Sequence, residues 1–294
     1  MKVLLTGAKG QLGWDLKQRA LEQGFDINAA NIEELDITQK EAVIKSVIQR
    51  DPSLVINAAA YTAVDRAESE PDLAMAVNRD GPSHLAGACA KAKIPLIHIS
   101  TDYVFEGNKA EPYLESDPTA PQGVYGKSKE AGEKRIRDIL PKHIIVRTAW
   151  LYGWHGPNFV KTMLGLGRKR SEIKVVNDQY GSPTFAQDLA DAILVIATRI
   201  RARQRIAWGT YHFCGKGITS WYGFAKAIFD IAGQHESLAV KRIVPITTAQ
   251  YPVPAKRPFN SALDCSLIMK TFGVKQPFWR QSLASMLSRL YVPS

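Results

Sequence analysis

The chain begins with a short apolar segment, a glycine-rich turn and an amphipathic helical segment, in that order. Residues 2–7, KVLLTG, are typical of a buried strand, and Gly7, Gly10 and Gly13 follow at intervals of three residues. Glycines in such a turn allow close approach of the backbone to a ligand, and the free N–H groups at a helix start favour a pyrophosphate. A purely structural turn is the alternative. The order of strand, turn and helix favours a dinucleotide site.

Short apolar strands and amphipathic helices alternate through the first half of the chain. Strands are predicted over KVLLTG, DINAAN, SLVINAAA, PLIHIST and HIIVRTAW, and helices over GQLGWDLKQRALEQG, ITQKEAVIKSVIQRD, DLAMAVNRDGPSHLAGACAKAK and YGKSKEAGEKRIRDIL. This alternation predicts an α/β fold with a doubly wound parallel sheet of the Rossmann type. We expect residues 1–150 to form the dinucleotide-binding domain and residues 151–294 a smaller C-terminal substrate-binding lobe. Segments near 184–215 are expected to return to the main sheet.

The charge balance is basic, with 38 lysines and arginines against 28 acidic residues and a net charge of +10. Such an excess suits nucleic acid, an anionic membrane or phosphorylated small molecules, and charge alone does not choose among them. The densest basic runs, residues 167–170 and 199–205, contain no aromatic residue and match no nucleic-acid motif. Solvated helix ends are therefore favoured over a polyanion site, and no nucleic-acid partner is expected.

The cysteines and the hydropathy indicate a cellular location. Cys89, Cys214 and Cys265 are far apart, with no CxxC spacing and no nearby histidine cluster, which predicts free thiols and no metal site. No apolar run approaches the length of a membrane span, and the first residues do not resemble an export signal. We therefore expect a cytoplasmic chain without a membrane partner.

The order of the elements also predicts the residues around a cofactor. Asn31 occupies the place where an acidic residue would bind the ribose hydroxyls and favour NAD. A neutral amide does not repel a 2′-phosphate, and Lys9 could bind one, so we expect NADPH or NADH; a solvated loop lysine is the alternative for Lys9. Asp36 and Ile37 are predicted near the adenine. The complete predicted set is Gly7, Lys9, Gly10, Gln11, Leu12, Gly13, Asn31, Asp36, Ile37, Ala58, Ala59, Ala60, Tyr125 and Lys129.

A tyrosine and a lysine suggest the chemistry. Tyr125 and Lys129 lie four residues apart in a predicted helix and therefore share one face. The preceding strand ends with Thr101, whose hydroxyl should reach the same edge of the sheet. Tyr-x-x-x-Lys also occurs by chance on exposed helices. The glycine turn and the order of the elements favour a catalytic site.

Tyr125 is predicted to act as a proton donor. A free tyrosine has a pKa near about 10, so a lowering of about 3 units, or ~4 kcal/mol, would make it an effective proton exchanger near neutrality. The Lys129 ammonium and a nicotinamide cation supply a field of that sign. We predict that Tyr125 protonates a carbonyl oxygen while hydride reaches the carbon. Thr101 would share the hydrogen bond, and Lys129 would bind the nicotinamide ribose.

These residues, in this order, resemble the extended short-chain dehydrogenase/reductase superfamily, whose Thr/Ser, Tyr and Lys match Thr101, Tyr125 and Lys129. More narrowly, the chain is similar to the dTDP-4-dehydrorhamnose reductase family in GQLGWDL, NAAAYTAVDRAESEPDLAMAVN, STDYVFEG, VYGKSKEAGEK, RTAWLYG, NFVKTML, NDQYGSPT and PAKRPFNSALD. The resemblance implies reduction of the C4 ketone of dTDP-4-dehydro-L-rhamnose to dTDP-L-rhamnose by NADPH or NADH.

The resemblance also implies a substrate site. Asp102, Tyr103 and Trp150 would line the sugar pocket. The nucleotide and diphosphate would be surrounded by Asn158, Phe159, Lys161, Gln179 and Arg257. Ordinary core packing is the alternative for Trp150 and Phe159. Tyr103 stands where sugar-nucleotide dehydratases carry a glutamate, and epimerases usually carry a small residue in place of Asp102, so simple reduction is favoured.

Two features leave alternatives open. Some family members bind Mg²⁺ at a dimer interface; Asp15 matches one acidic ligand, but Gln187 stands in the place of another, and Mg²⁺ prefers carboxylates. We therefore expect no metal, and either a monomer or a homodimer. A non-catalytic regulatory subunit, similar to that of methionine adenosyltransferase, and a reductase of another nucleotide-linked keto-deoxysugar are the alternative functions.

Overall fold

The computed structural model describes residues 1–291. Its strands are β1 (Lys2–Thr6), β2 (Asp26–Ala30), β3 (Leu54–Asn57), β4 (Leu96–Thr101), β5 (His143–Thr148), β6 (Leu151–Tyr152), β7 (Glu172–Val176), β8 (Tyr180–Gly181), β9 (Thr184–Phe185), β10 (Gly209–His212), β11 (Thr219–Ser220) and β12 (Arg242–Ile246). Its helices are α1 (Gln11–Glu22), α2 (Lys40–Arg50), α3 (Val64–Ala67), α4 (Pro71–Met75), α5 (Gly81–Ala92), α6 (Val124–Ile139), α7 (Phe159–Gly167), α8 (Ala186–Arg201), α9 (Trp221–Ala232), α10 (Ser266–Phe272) and α11 (Trp279–Tyr291). Among residues 1–291, no helix has both the length and the apolar character required to cross a membrane.

Six parallel strands form the central sheet, in the order β2-β1-β3-β4-β5-β10. The chain moves outward from β1 in one direction to β2 and then in the other direction through β3, β4 and β5. Such a reversal leaves a crevice at the carboxyl ends of the strands on either side of it. The prediction of a doubly wound parallel α/β sheet is confirmed.

The inner strands are buried because helices cover both faces of the sheet. Every residue of β3 and β5 is buried, as expected for a parallel sheet without a solvated face. Successive side chains of β1 enter different cores: Leu4 packs with α2, α5 and α6, whereas Val3 and Leu5 pack with α1 and α8. This alternation fixes the register that brings the carboxyl ends of β1, β3 and β4 to one edge.

One predicted helix is interrupted. The segment predicted as a single helix over residues 72–93 consists of α4, a π-helical turn at Ala76–Asp80 and α5. Pro82 explains the break, because its ring lacks an N–H group and would clash with the carbonyl four residues earlier in a regular α-helix. The backbone widens instead, and the N–H of Gly81 donates to the carbonyl of Ala76.

A second apolar core lies in the C-terminal half, built from β6, β7 and β9 and from α7, α9 and α11. Strand β12 pairs in parallel with β7, which joins two segments that are distant in sequence. In contrast, α8 and β10 belong to the main layer, since α8 packs on α1 and β10 pairs with β5. We retain as a proposal the division into two lobes near residue 150.

Candidate active site

The glycine turn has a conformation that only glycine accommodates. Gly7 has a φ of +73°, and a Cβ there would come within 2.5 Å of the Ala59 nitrogen. A Cβ at Gly13 would overlap the carbonyl oxygen of Gly7, and the N–H of Gly10 donates to that same oxygen at 3.0 Å. The turn therefore lies directly against the start of α1 and the end of β3, and leaves the helix N-terminus open.

A cleft of about 250 Å³ lies beside this turn. It is lined by Gly7, Lys9, Gly10, Asn31, Ile32, Glu33, Leu35, Asp36, Ile37, Ala58, Ala59, Ala60 and Val77. The structure thus brings together most of the predicted cofactor residues. Gln11, Leu12 and Gly13 do not line the cleft, because they lie within α1; Leu12 is buried in the core. Tyr125 and Lys129 lie farther along the sheet edge.

The ribose end of the cleft carries a carboxylate that the sequence analysis missed. Asn31 follows β2 as predicted, and its Oδ1 is buried without a hydrogen-bond partner. Glu33, two residues later, lines the cleft and pairs with Lys9 at 3.2 Å. A bound 2′-phosphate would compete with Glu33 for Lys9. Position 31 has no carboxylate, and Glu33 supplies the negative charge at this end of the cleft instead.

Thr101 and Tyr125 meet at the carboxyl edge of the sheet. Thr101 Oγ1 donates to Asp102 Oδ1 at 2.9 Å and accepts from the Tyr103 N–H at 3.2 Å. The rings of Tyr103 and Tyr125 pack edge to face at 5.5 Å. Burial raises the pKa of Tyr125, and its hydrogen bond with Thr101 opposes the rise. The surrounding residues alone therefore do not produce the lowering of this pKa that we predicted from the sequence.

Lys129 lies behind Tyr125 on α6 and is only 2% exposed. Its Nζ donates to the Ile99 carbonyl at 2.6 Å and lies 3.4 Å from His98 Nε2. Burial lowers the pKa of Lys129 to about 8, and the nearby Glu133 carboxylate opposes this shift. The structure thus places a readily deprotonated lysine under the catalytic edge.

A larger cleft, of about 830 Å³, lies beside the second apolar core. It is lined by Asp65, Tyr103, Phe159, Thr162, Met163, Leu166, Arg170, Glu172, Ile173, Lys174, Val175, Val176, Gln179, Trp221, Ile246, Gln250, Tyr251, Val253 and Arg257. The predicted substrate residues Tyr103, Phe159, Gln179 and Arg257 are among them. The helical spacing of Phe159, Met163 and Leu166 was a signal for this wall that the sequence analysis did not use.

Basic side chains reach this cleft from two segments. Arg257 Nη1 donates to the Tyr103 hydroxyl at 3.0 Å, and its Nη2 pairs with Asp65 at 2.7 Å. Arg170 and Lys174 also line this cleft. Arg170 belongs to the basic run that we interpreted as a solvated helix end; it is exposed, but it stands at the rim of the cleft.

Two predicted sugar-pocket residues lie behind the cleft wall. Trp150 stacks on Trp221, with ring centroids 3.6 Å apart, and it is Trp221 that faces the cleft. Asp102 is buried; burial raises its pKa to about 6, and its Oδ2 has no hydrogen-bond partner. Neither Trp150 nor Asp102 therefore lines the larger cleft, although both were expected to line the sugar pocket.

Two predicted nucleotide-binding residues do not reach the cleft. Asn158 caps α7 by accepting from the Lys161 N–H at 3.1 Å, and its Nδ2 donates to Gln11 Oε1 at 3.1 Å. The Lys161 amine donates to the Trp154 carbonyl, and its side chain lines a separate surface cleft near the end of α11. The side chain of Asn158 is held at the start of α7 because it caps that helix. Matching the motif to the family could not predict this role.

Asp15, the residue that matches a magnesium ligand, is buried in α1. Burial and the nearby Asp191 raise its pKa to about 6, and its Oδ2 has no hydrogen-bond partner. Within residues 1–291, no group of three His, Cys, Asp or Glu side chains is arranged to hold a metal ion.

The sequence as a whole matches a known family. A model of the RmlD substrate binding domain matches residues 1–292. A curated dTDP-4-dehydrorhamnose reductase from Aggregatibacter actinomycetemcomitans is 44% identical over 287 residues, covering 97% of this chain and 98% of the relative. The chain belongs to the dTDP-4-dehydrorhamnose reductase family. The resemblance inferred from the sequence motifs is confirmed.

Solved structures of family members have the same fold along their whole length. The dTDP-4-dehydrorhamnose reductase from Clostridium acetobutylicum superposes with a TM-score of 0.93 at 42% identity, covering 99% of this chain and 100% of that chain. The reductase from Bacillus anthracis, solved in complex with NADP, has a TM-score of 0.90 at 39% identity, covering 98% of this chain and 99% of that chain. Both clefts therefore lie within the matched region.

Proposed function

We propose that this protein reduces the C4 ketone of dTDP-4-dehydro-L-rhamnose to dTDP-L-rhamnose, with NADPH or NADH as the reductant. The observation that carries the proposal is the position of Tyr125 at the sheet edge. It contacts Tyr103 in the wall of the larger cleft, and Lys129 on the same helix donates to the Ile99 carbonyl of β4, the strand next to β3, whose end meets the smaller cleft. The relatives named above are reductases of this substrate by name, and one was solved with NADP.

The smaller cleft, of about 250 Å³, would hold the adenosine half of a dinucleotide, with the nicotinamide half extending along the sheet edge to Tyr125 and Lys129. When bound, the reduced nicotinamide supplies a hydride. Gly7 and Gly13 keep side chains away from the α1 N-terminus, whose free N–H groups bind the pyrophosphate. The buried Asn31 Oδ1, which has no partner, and the Glu33 carboxylate accept hydrogen bonds from the ribose hydroxyls. Lys129 donates to the nicotinamide ribose.

Tyr125 donates the proton that completes the reduction. Its raised pKa keeps the phenol protonated at neutral pH, which is the state that a donor needs. An oxygen that gains negative charge as its carbon accepts hydride is more basic than a phenolate, so the transfer is downhill. Thr101 Oγ1 would donate to the carbonyl oxygen in place of Asp102 Oδ1 and keep that oxygen beside the phenol. Positive charge on Lys129 favours the tyrosinate that remains.

The larger cleft would hold the nucleotide sugar. Arg257 presents a planar guanidinium beside Tyr103, the geometry that suits a diphosphate. Arg170 and Lys174 add positive charge, and Phe159 and Trp221 offer aromatic faces for the base. An anionic diphosphate would replace Asp65 as the partner of Arg257.

A substrate-coupled assay tests the proposal. Purified protein is supplied with NADPH and dTDP-4-dehydro-L-rhamnose, and loss of NADPH absorbance is followed together with formation of dTDP-L-rhamnose. Parallel reactions use the UDP-linked keto sugar and NADH. We expect turnover with the dTDP sugar. NADPH binding without any oxidation would contradict the proposal and favour the non-catalytic regulatory subunit.

We also propose a cytoplasmic location, a monomeric or homodimeric state and no nucleic-acid partner. Support comes from Cys89, Cys214 and Cys265, which are all buried and free, as suits a reducing compartment. Light scattering of the purified protein tests the oligomeric state, and a tetramer or larger species would contradict that part of the proposal.

A further inference from the structure

A buried row of polar side chains connects the first strand to Lys129. Thr6 Oγ1 donates to Asn57 Oδ1 at 2.7 Å, and Asn57 Nδ2 lies 3.0 Å from His98 Nδ1. His98 Nε2 lies 3.4 Å from Lys129 Nζ. All four residues are at most 2% exposed, so each polar atom depends on its neighbours for hydrogen bonds. The direction of each bond can therefore be worked out along the row.

The hydrogen bonds of Asn57 decide which atom donates and which accepts in this row. The backbone N–H of Ala59 donates to Asn57 Oδ1 at 3.0 Å, and a backbone amide can only donate. The other side-chain atom of Asn57 must then be its amide nitrogen, which donates to His98 Nδ1. A neutral imidazole that accepts at Nδ1 carries its proton on Nε2. Burial lowers the pKa of His98 well below its usual value, so the ring is neutral.

The His98 Nε2–H bond consequently points at Lys129. An ammonium has three donors and no acceptor, whereas a neutral amine has a lone pair that can accept this hydrogen. The amine can still donate to the Ile99 carbonyl, which lies 2.6 Å away. Contact with His98 therefore favours the amine over the ammonium.

The other charged and titratable groups around Lys129 do not reverse this preference. Tyr125 and Glu133 lie on the same helix, and Asp102 follows β4. The Glu133 carboxylate favours the ammonium, but Arg147 on β5 binds both of its oxygens, at 2.9 Å and 2.7 Å. Arg137 adds a third hydrogen bond to Glu133 at 2.9 Å, so the carboxylate is already neutralised.

We propose that His98 is a positioning residue that favours the amine form of Lys129 in the cofactor-free protein, and that binding of a nicotinamide ribose favours the ammonium, so that under alkaline conditions this amine takes up a proton from solvent on binding. The inference rests on the proposed function, because it needs a dinucleotide at the sheet edge. A ribose hydroxyl gives Lys129 the acceptor that His98 does not provide. At pH 9 the positive charge beside Tyr125 is then gained when the reductant binds.

Calorimetric titration with NADPH at pH 9, in two buffers of different ionisation enthalpy, measures proton uptake directly. The 2′-phosphate is fully ionised at this pH and adds nothing. We expect the intact protein to take up about 0.5–1 proton per site on binding. His98→Gln, whose amide oxygen can accept from an ammonium, should take up less than about half of that amount. His212→Gln is the matched control, since His212 is equally buried but contacts Arg147 rather than Lys129; it should behave as wild type.

Binding without proton uptake, or equal uptake by His98→Gln and wild type, would overturn the inference while leaving the proposed function intact. Absence of NADPH binding would overturn both. Nitrogen NMR of the histidine rings in the unliganded wild-type protein gives a second test that needs no stable variant. We expect a neutral His98 ring with its proton on Nε2. A proton on Nδ1, or an imidazolium at neutral pH, would overturn the inference.

Discussion

Replacing Gly7 by alanine should damage both stability and cofactor binding. The φ of +73° at Gly7 costs a residue with a Cβ about 1–2 kcal/mol. The Cβ would also lie 2.5 Å from the Ala59 nitrogen and 2.6 Å from the Ala58 carbonyl carbon, both backbone atoms that cannot rotate away. Overpacking of this kind costs a further ~1–3 kcal/mol. We therefore expect Gly7→Ala to lower the free energy of unfolding by about 2–5 kcal/mol.

The chain provides a matched control for this change. Gly24 has a nearly equal φ of +69°, but a Cβ there would meet no atom within 4 Å. Gly24→Ala should therefore cost only the backbone term, about 1–2 kcal/mol. At roughly 2–4 °C per kcal/mol for a chain of this size, Gly7→Ala should lose about 4–20 °C in Tm and Gly24→Ala about 2–8 °C.

Thermal unfolding followed by circular dichroism measures the difference in Tm, and calorimetric titration measures NADPH affinity. We expect NADPH binding to weaken at least about tenfold in Gly7→Ala, because the turn must move to accept the methyl group, and to stay unchanged in Gly24→Ala. Equal losses of Tm in the two variants, or an unchanged NADPH affinity in Gly7→Ala, would refute the reasoning.

Three other changes test separate parts of the site. Glu33→Gln removes the carboxylate at the ribose end of the cleft and should raise the ratio of kcat/KM for NADPH to that for NADH several-fold; an unchanged ratio would exclude Glu33 from cofactor choice. Arg147→Met leaves the buried Glu133 without its bidentate partner and should cost about 3–5 kcal/mol in urea unfolding, much of it recovered by adding Glu133→Leu. If the double variant is as unstable as the single one, the uncompensated carboxylate is not the cause. Arg257→Met should raise KM for the keto sugar at least about tenfold with kcat within about threefold, while Lys256→Met, at an exposed neighbour, should leave KM unchanged.

The fold and the smaller cleft were predictable because their signals are local. Alternating strands and helices require a parallel sheet, and the carboxyl ends of such strands share one edge, which brings Asn31 and Ala58 to the glycine turn. Glu33 and Val77 were missed for a physical reason. The position of Glu33 depends on the turn after β2, and that of Val77 on the π-helical turn that Pro82 imposes. Neither turn has the repeating pattern of apolar residues from which helices and strands are predicted.

The larger cleft depends on contacts between segments that are distant in sequence. Strand β7 pairs with β12, with Glu172 opposite Arg242, although α8 and α9 lie between the two strands in the sequence. The pattern of either strand alone does not predict the wall that this pairing forms. The motif resemblance correctly indicated Phe159 and Arg257 as cleft residues. It could not indicate which way the Lys161 side chain points, since that depends on the Trp154 carbonyl.

The claim that Tyr125 protonates the substrate oxygen is tested most directly by Tyr125→Phe. The rate of NADPH oxidation at saturating keto sugar is compared with that of wild type, and NADPH affinity is measured in parallel. Loss of a general acid costs about 10²–10⁴ in rate, so we expect kcat to fall by that factor while NADPH affinity stays within about threefold. A Tyr125→Phe variant that binds NADPH normally and turns over within about tenfold of wild type would contradict the assignment of Tyr125 as the proton donor.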